Sequence, residues 1–408
     1  MAFNQAISGL KAAENELNVI GNNVSNSATT AFKKSRVEFQ DVFAISNVGG
    51  SANNIGRGVD VARIAQQFEQ GNVSFTDNAL DLAISGQGFF MLDNGGERLY
   101  TRDGAFSLSK DGYIVNSKGH QLLAFGADSI GNVNGALGPL QLSQANNPPK
   151  ASTAVAFGAN FDANEDPPTI GLFNPLISDS YNQTTALNVF DSQGGSHLQQ
   201  MYFVRDLSPS VPDNTWQMHT YVDGNAVGGP DAISFDGIGK LALPLNGQIT
   251  IPPFSPGVGL NPMNIVTTVT GSTMYGAKFG ANKLTQDGYT TGRLAGLDID
   301  DEGIVLARFT NGQSAVQGQV GLANFPNPQG LRPAGGNAWQ ETFAAGVVLQ
   351  GKPGTASLGL IQGGALEESN VDLSTELVAL IIAQRNFQAN TEVIKTADAV
   401  TQSVINIR

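Results

Sequence analysis

Evenly spaced apolar residues occur at both ends of this chain, and this pattern constrains the possible folds more than any other feature. Near the N-terminal end they recur in alternating steps of three and four residues, which is the spacing of a coiled-coil seam. The members of this first seam are Phe3, Ala6, Leu10, Ala13, Leu17, Ile20 and Val24. The spacing predicts an N-terminal helix about 30 Å long.

A second seam lies near the C-terminal end. Its members are Leu373, Leu377, Leu380, Phe387 and Ile394, with Val400 and Val404 on a neighbouring stripe. Such a shift is expected when a straight helix drifts against a heptad repeat. Candidate N-caps are Asn370, Asp372 and Ser374, and the predicted helix is about 50 Å long. Because the two helices lie at opposite ends of the sequence, they must contact each other or copies of themselves.

The chain between the seams shows strand and turn patterns and no helical period. Short apolar runs alternate with turn sequences that favour β-hairpins. These turns are Asp93-Asn94-Gly95-Gly96, Gln286-Asp287-Gly288-Tyr289, Asp300-Asp301-Glu302-Gly303 and Thr310-Asn311-Gly312-Gln313. The predicted fold class is therefore α+β and multidomain, with long terminal helices in a coiled-coil-like layer and two mainly β domains, one inserted in the other.

Four parts are expected from these patterns. Residues 1–30 with 366–408 form a terminal helical assembly domain, and 31–69 with 358–365 form a connecting segment. Residues 70–145 with 285–357 form a discontinuous inner β domain. Residues 146–284, where proline pairs cluster, form the inserted outer β domain.

Composition excludes several classes of function. Lys and Arg number 22 against 35 Asp and Glu, a formal net charge of −13, which argues against a nucleic-acid groove. The chain has no Cys and three His, which argues against disulfides, zinc sites and cysteine or histidine catalysis. We therefore predict no catalytic residues, no metal, no cofactor and no enzyme activity. Neither a cleaved signal sequence nor a membrane-spanning segment is expected.

Two weaker signals bear on catalysis and metal binding. Residues 298–303 resemble the start of a calcium-binding loop, but Phe309 occupies its twelfth position, where a glutamate is required, so a β-turn is favoured. A secreted β-domain enzyme acting on polysaccharide stays open as an alternative, because sequence spacing does not reveal whether two carboxylates share a cleft.

Motifs at both ends resemble those of the bacterial flagellar axial family of rod and hook proteins. The matching segments are 8–13, 17–26 and 32–33 at one end, 368–374 and 383–390 at the other, and 86–90, 100–106 and 325–331 between them. Polar and aromatic positions of these motifs are Asn22, Asn23, Asn26, Phe32, Asn370, Asp372, Gln384, Arg385, Gln388 and Asn390. Ala31 departs from the family, which commonly has glycine there, so a turn with positive φ is expected to form differently.

Within this family, the chain length, the inserted domain and segment 286–292 resemble the hook subgroup; a distal rod protein or a hook-associated junction protein is the alternative. The resemblance implies a structural subunit that self-assembles into a helical tube, through the two seams, and acts as a universal joint transmitting torque from rod to filament. It also implies type III export and an extracellular location at the flagellar basal body and hook. Implied partners are copies of itself, rod proteins, the hook cap, the junction protein and the export apparatus, with no nucleic acid and no membrane insertion.

The seams are also rich in polar residues, which bears on the state of the single chain. A seam of this kind does not offset the entropy of ordering its own helix. We therefore expect both ends to be disordered in the monomer and to fold on assembly.

Overall fold

The structure, a computed structural model, describes residues 2–42, 56, 58–128, 131–143, 145–208, 214–257 and 259–406. The chain forms two compact units: the first comprises 1–144, 296–308 and 314–408, and the second comprises 145–295 and 309–313. The described part is mainly β, with one long helix near each end, which confirms the predicted fold class. The coiled-coil character of the helices and the finer division into four parts stay predictions.

Both long helices form where the seams predict them. Helix α1 spans Ala2–Ser25 and helix α2 spans Leu373–Asn406. The carboxylate of Asp372 accepts a hydrogen bond from the backbone N–H of Thr375 at 2.7 Å, so this residue is the N-cap of α2. Short 3₁₀ helices lie at Ser178–Ser180, Pro328–Gly330 and Phe343–Ala345.

The strands are short, as the turn-rich sequence predicts. The strands of the first part of the chain are β1 Ser35–Asp41, β2 Val59–Gln66, β3 Val73–Phe75, β4 Leu82–Ser85, β5 Phe89–Asn94, β6 Glu97–Thr101, β7 Ser107–Leu108, β8 Ile114–Val115, β9 Gln121–Ala127 and β10 Val133–Pro139. Those of the second unit are β11 Ala154–Asp162, β12 Gln183–Phe190, β13 Ser196–Asp206, β14 Thr215–Val222, β15 Asn225–Phe235, β16 Leu241–Leu243, β17 Gln248–Thr250, β18 Val266–Thr268, β19 Thr273–Tyr275 and β20 Gly280–Gln286. The remaining strands are β21 Leu294–Ile299, β22 Ile304–Phe309, β23 Ser314–Val320, β24 Leu322–Asn324, β25 Arg332–Pro333, β26 Ala338–Gln340, β27 Leu349–Gly351, β28 Leu360–Gly363 and β29 Ala365–Glu367.

One large sheet dominates the first unit. Among the described residues it has 13 strands, whose main path runs β21-β22-β23-β9-β5-β6-β26-β25. Its core contains Phe90, Leu92, Leu122 and Val320, all fully buried. Three two-stranded pairs accompany it: β1 with β2, β3 with β29, and β4 with β28. The last two pairs join early strands to the segment that leads into α2.

Two predicted hairpins of the first unit are present. Strands β5 and β6 pair across Gly95 and Gly96, whose φ angles are 64° and 99°, the left-handed conformation that such a two-residue turn requires. Strands β21 and β22 are neighbours across the turn that begins at Asp300. The carboxylate of Asp300 accepts hydrogen bonds from the N–H groups of Glu302 and Ile304, so this segment is a turn, as favoured over a calcium loop.

The predicted hairpin at 286–289 is wrong. Tyr289 instead forms an isolated bridge to Lys150, and Asp287 reaches back to the start of β11. Burial would raise the pKa of Asp287, but hydrogen bonds from Ala154 and Thr153 and from Lys150 lower it to about 2. Contacts distant in sequence therefore override the local turn pattern.

The second unit is built from two sheets that pack face to face. In its described part, one sheet runs β12-β13-β14-β15-β16, and the other runs β17-β18-β11-β19, with β20 also on β11. Aromatic residues from both sheets fill the space between them. The rings of Phe157 and Phe203, one from each sheet, stack with centroids 5.0 Å apart, and the fully buried Trp216 packs against Phe161. Such packing is that of a β-sandwich.

Candidate assembly interface

Helices α1 and α2 pack against each other as an antiparallel pair. Near the end of α1, the side-chain amide of Asn23 donates to the carboxylate of Glu376, near the start of α2, at 3.2 Å. Toward the start of α1, Gly9 lies against Asn390 so closely that a Cβ atom there would be 2.5 Å from Asn390 Oδ1. The two ends of the chain therefore contact each other within one molecule.

The residues of the predicted α1 seam are buried to different degrees. Ala6, Ala13 and Ile20 are buried, Leu10, Leu17 and Val24 are half-buried, and Phe3 is exposed. Helix α1 also contacts β1 and β2, so it is covered on more than one side. The hydroxyl of Ser8 accepts a hydrogen bond from the N–H of Val59 in β2.

The predicted seam of α2 divides between two faces. On one face, Leu380, Phe387 and Ile394 are half-buried. The fully buried Ala383 and the half-buried Asn390 lie between them, so that the five residues follow one another in steps of three and four. Leu373, Leu377 and Val400 are exposed. The side chain of Val404 lies outside the described part of the structure. The sequence pattern therefore gives the helix correctly but joins residues of two different faces.

The exposed face at the start of α2 is apolar. We call this surface the α2 apolar patch; its residues are Leu373, Leu377, Val378, Ile381 and Ile382, with exposed fractions of 45 to 58%. Residues four apart on a helix are neighbours on its surface, so these side chains form a continuous strip. Farther along the same helix most exposed residues are polar or charged, among them Gln384, Arg385 and Gln388, and the exposed Val393, Val400 and Ile405 stand apart from one another. Isolated exposed apolar residues are common, but a contiguous strip of this kind indicates an interaction surface.

Family-motif asparagines tie the helical pair to the strands. Asn23 is buried; its side-chain carbonyl accepts from the N–H of Ser35, and its amide donates to the carbonyl of Ser35. Asn370 accepts from the N–H of Lys34 and donates to the carbonyls of Gln67 and Glu69. Each amide side chain thus takes the place of a strand partner for backbone groups at the base of the helices.

The other motif residues have local roles. Asn26 donates from its side chain and its backbone to the carbonyl of Asn22, which ends α1. The carbonyl of Phe32 accepts from the N–H of Asn370. Ala31 is fully buried and keeps a positive φ of 55°, so this turn forms without glycine.

A buried ionic network lies at the same junction. We define this Glu367 network as Lys33, Arg102 and Glu367, whose side chains are 0 to 5% exposed. Lys33 Nζ is 2.5 Å from Glu367 Oε1, and Arg102 contacts Glu367 Oε2 at 3.2 Å. The N–H of Gly71 also donates to Glu367 Oε1, and Lys33 Nζ donates to the carbonyl of Glu69. The network joins the segment after α1, the large sheet and the segment before α2.

Burial and charge act in opposite directions within this network. Burial lowers the pKa of Lys33 and of Arg102, and the negative charge of Glu367 offsets this only in part. Two buried cations therefore depend on one carboxylate. The sequence patterns do not predict that these three charged residues are buried together. Lys33 and Arg102 lie within the matched motifs, and a charged residue next to apolar motif residues is the signal that could have indicated their burial.

The described residues contain no group of three or more side chains placed to hold a metal ion. Neither long helix combines the length and apolar character that crossing a membrane requires, as far as its residues are described. The geometry at the helical junction is thus one of polar anchoring and exposed apolar surface, which suits association of protein chains.

Models of flagellar protein families match four parts of the chain. The model for "Flagella basal body rod protein" matches 3–33, and that for "Flagellar basal body rod FlgEFG protein C-terminal" matches 362–407. "Flagellar hook protein FlgE/F/G D1 domain" matches 83–155, and "Flagellar basal body protein FlaE D2 domain" matches 160–289. Both helices and both β units are therefore similar to flagellar domains.

Solved and curated relatives agree with these matches. A crystal structure of Helicobacter pylori flagellar hook protein FlgE2 is similar in fold, with a TM-score of 0.51 and 15% identity over 71% of this chain and 99% of that one. The flagellar hook protein FlgE of Rhizobium meliloti is 31% identical and covers 98% of this chain and 97% of its own. Those of Escherichia coli K12 and Salmonella typhimurium LT2 are 38% and 37% identical, each over the full length of both chains. These relatives favour a hook protein over the rod and junction alternatives, and the chain belongs to the flagellar hook protein family.

Proposed function

We propose that this hook protein builds the flagellar hook by joining copies of itself through the α2 apolar patch. The supporting observation is that five large apolar side chains remain exposed over about three turns of one helix. Covering the exposed half of each would stabilise a contact by about 1 kcal/mol per side chain. The partner that covers the α2 apolar patch would be a second copy of the chain. Members of this family are subunits of one structure, the hook, and the strip is longer than a small ligand needs.

The contact would be heterologous, with the α2 apolar patch of one copy on a different surface of the next. A heterologous contact that does not close into a ring generates a helical polymer. Repetition of this contact would give the tube, and the seams predicted from sequence would form its helical layer. Rod proteins, the hook cap, the junction protein and the export apparatus would be the partners at its ends and during export.

Torque transmission would require a stiff connection between the helices and the strands. The Glu367 network, Asn23 and Asn370 lie where both helices leave the strands, and their hydrogen bonds are directional. Buried polar networks of this kind hold one geometry when all members are paired. We infer that this junction carries load between the tube wall and the β-rich part of each copy.

The helical pair would complete its folding on assembly. Among the α2 side chains that the structure describes, Ala383 is the one that is fully buried, so contacts within a single chain cover little of this helix. Helices gain most of their stability from packing of an apolar face. Association would therefore supply packing that the single chain lacks.

Polymerisation of the purified chain tests the proposal. Electron microscopy of concentrated protein is expected to show hollow tubes, and limited proteolysis of dilute protein is expected to trim both terminal helices and leave the β-rich part intact. The same protease should leave the ends of the polymerised chain intact. Protein that stays dispersed at every concentration, with both ends resistant in dilute solution, would contradict the proposal.

A further inference from the structure

Two carboxylates flank the imidazole of His197 in the second unit. The ring belongs to β13, and its side chain is 13% exposed. Its Nδ1 is 2.6 Å from Asp223 Oδ2, and its Nε2 is 3.1 Å from Asp191 Oδ2. Both ring nitrogens therefore face an acidic acceptor.

The two carboxylates belong to different turns of the same sheet. Asp191 lies in the turn between β12 and β13, and its Oδ1 accepts from the N–H groups of Gln193 and Gly195 at 2.8 Å each. Asp223 opens the two-residue turn between β14 and β15, and its Oδ1 accepts from the N–H of Leu198 at 2.9 Å. Asp191 is thus fixed by its own turn and Asp223 by strand β13, and the ring connects the two turns.

This arrangement fits one protonation state of the ring. A neutral imidazole has one N–H, whereas two carboxylates accept two hydrogen bonds, which only the imidazolium donates. In a neutral ring, one nitrogen lone pair would face a carboxylate oxygen. Val189 of β12 lies opposite His197 in the strand register and carries no charge, so Asp191 and Asp223 are the charged groups acting on the ring.

The electrostatics of the three groups agree with this geometry. Burial would lower the pKa of His197, but the hydrogen bonds and charges of Asp223 and Asp191 outweigh it, and the pKa is raised. Burial would likewise raise the pKa of each carboxyl group, yet the hydrogen bonds from His197 and from backbone N–H groups lower both. The charged form of all three groups is therefore favoured together.

We propose that His197 is a proton-dependent link between the β12–β13 turn and the β14–β15 turn, closed when the ring is protonated and half-open when it is neutral. The half-open state would keep one hydrogen bond. Asp191 is 5% exposed and Asp223 is 46% exposed, so water replaces the ring more readily at Asp223. Deprotonation therefore removes the ring's bond to Asp223 and leaves the bond to Asp191. The β14–β15 turn is then held to β13 by the hydrogen bonds between Asp223 and the backbone of Leu198 alone, and is loosened.

The direction of the pH dependence follows from the raised pKa. The stabilisation is present in full below the pKa of a free histidine, about 6.5, and is lost as the pH rises through the pKa of the folded protein. A pH above the raised pKa of the folded ring thus loosens this end of the sheet, while a pH below about 6.5 holds it closed. The effect concerns the single chain and does not depend on polymerisation.

Nuclear magnetic resonance of the dilute, full-length chain tests the proposal. The His197 ring is expected to titrate above about 6.5. The amide of Leu198, which donates to Asp223, is expected to lose protection against hydrogen exchange over the same pH range. The loss should approach tenfold for each unit by which the ring's pKa exceeds its ordinary value, after correction for the intrinsic exchange rate.

Two variants and one internal control complete the test. In His197→Gln, protection of Leu198 should no longer vary with pH, and in Asp223→Asn the ring should titrate at lower pH. The turn at Asp236 is the control, because its carboxylate accepts from the N–H groups of Ile238 and Lys240 without a histidine, and its protection should stay constant. A ring that titrates at or below about 6.5 would overturn the proposal, as would a pH dependence of Leu198 that persists in His197→Gln.

Discussion

Ile381→Asp is expected to abolish polymerisation while leaving the fold of the single chain unchanged. Ile381 is 49% exposed at the centre of the α2 apolar patch, so water solvates the new carboxylate in the monomer. In a polymer built through this patch, every copy would bury a carboxylate without a partner, which costs several kcal/mol. Because about 1.4 kcal/mol corresponds to a tenfold change in an equilibrium constant, the critical concentration should rise at least about 100-fold.

Sedimentation and electron microscopy of polymerised protein measure this effect, and circular dichroism checks the monomer. The matched control is Gln388→Asp, which adds the same charge to an exposed, polar part of the same helix and should polymerise as the unmodified chain does. Leu380→Asp is also expected to block tubes, but Leu380 is half-buried, so this variant also disturbs a single chain. Normal tubes from Ile381→Asp would exclude the α2 apolar patch as the contact surface.

The sequence predicts the two helices well because their signal is local. The spacing from Phe3 to Val24 and from Leu373 onward reports a helical period, and Asp372 is a recognisable cap. The period does not report which neighbour each face meets. Leu377 and Leu380 belong to one predicted seam, yet Leu380 is half-buried and Leu377 is exposed.

A hairpin can be predicted from sequence when the conformation of its turn is set by the turn residues themselves. The turn at Gly95 and Gly96 requires positive φ at both positions, and glycine supplies it, so prediction and structure agree. At Asp287 the same type of turn sequence fails, because Thr153 and Ala154 donate to its carboxylate from far along the chain. Local patterns give way where tertiary hydrogen bonds are available.

The Glu367 network lies beyond sequence patterns for a different reason. Its members are separated by tens to hundreds of positions, and charged residues are ordinarily assigned to the surface. Nothing in the spacing of Lys33, Arg102 and Glu367 indicates that the three meet in a buried site. Their meeting depends on the pairing of β3 with β29 and on the hydrogen bond from the N–H of Ala31 to the carbonyl of Glu367, which together bring the segment before α2 beside the segment after α1.

Glu367→Ala is expected to destabilise the first unit by about 3–5 kcal/mol, because removing one partner of a buried ion pair leaves an uncompensated charge. Here two cations, Lys33 and Arg102, would remain buried without their shared carboxylate, and the N–H of Gly71 would lose its acceptor. Glu367→Gln keeps the side-chain shape and one acceptor oxygen, so it should lower the free energy of unfolding by less. This second variant gives the test if the alanine variant does not fold.

The two tryptophans allow the two units to be followed separately during denaturant unfolding. Trp339 is buried in the first unit and Trp216 in the second, so Trp216→Phe leaves a reporter for the first unit alone, and Trp339→Phe leaves one for the second. Glu367→Ala should lower the unfolding midpoint seen by Trp339 and leave that seen by Trp216 unchanged.

Glu38 provides the matched control for burial, because its carboxylate also contacts two cations. Arg36 and Arg63 are its partners, but their side chains are 65% and 60% exposed. Water and salt screen such surface pairs, so Glu38→Ala should leave the Trp339 midpoint unchanged. An equal shift in Glu38→Ala and Glu367→Ala would mean that burial adds nothing to the network. If only Glu367→Ala lowers the Trp339 midpoint, the result would instead support a stiff junction at the base of the helices. The buried ion pairs would then be the interactions that stabilise the geometry of this junction.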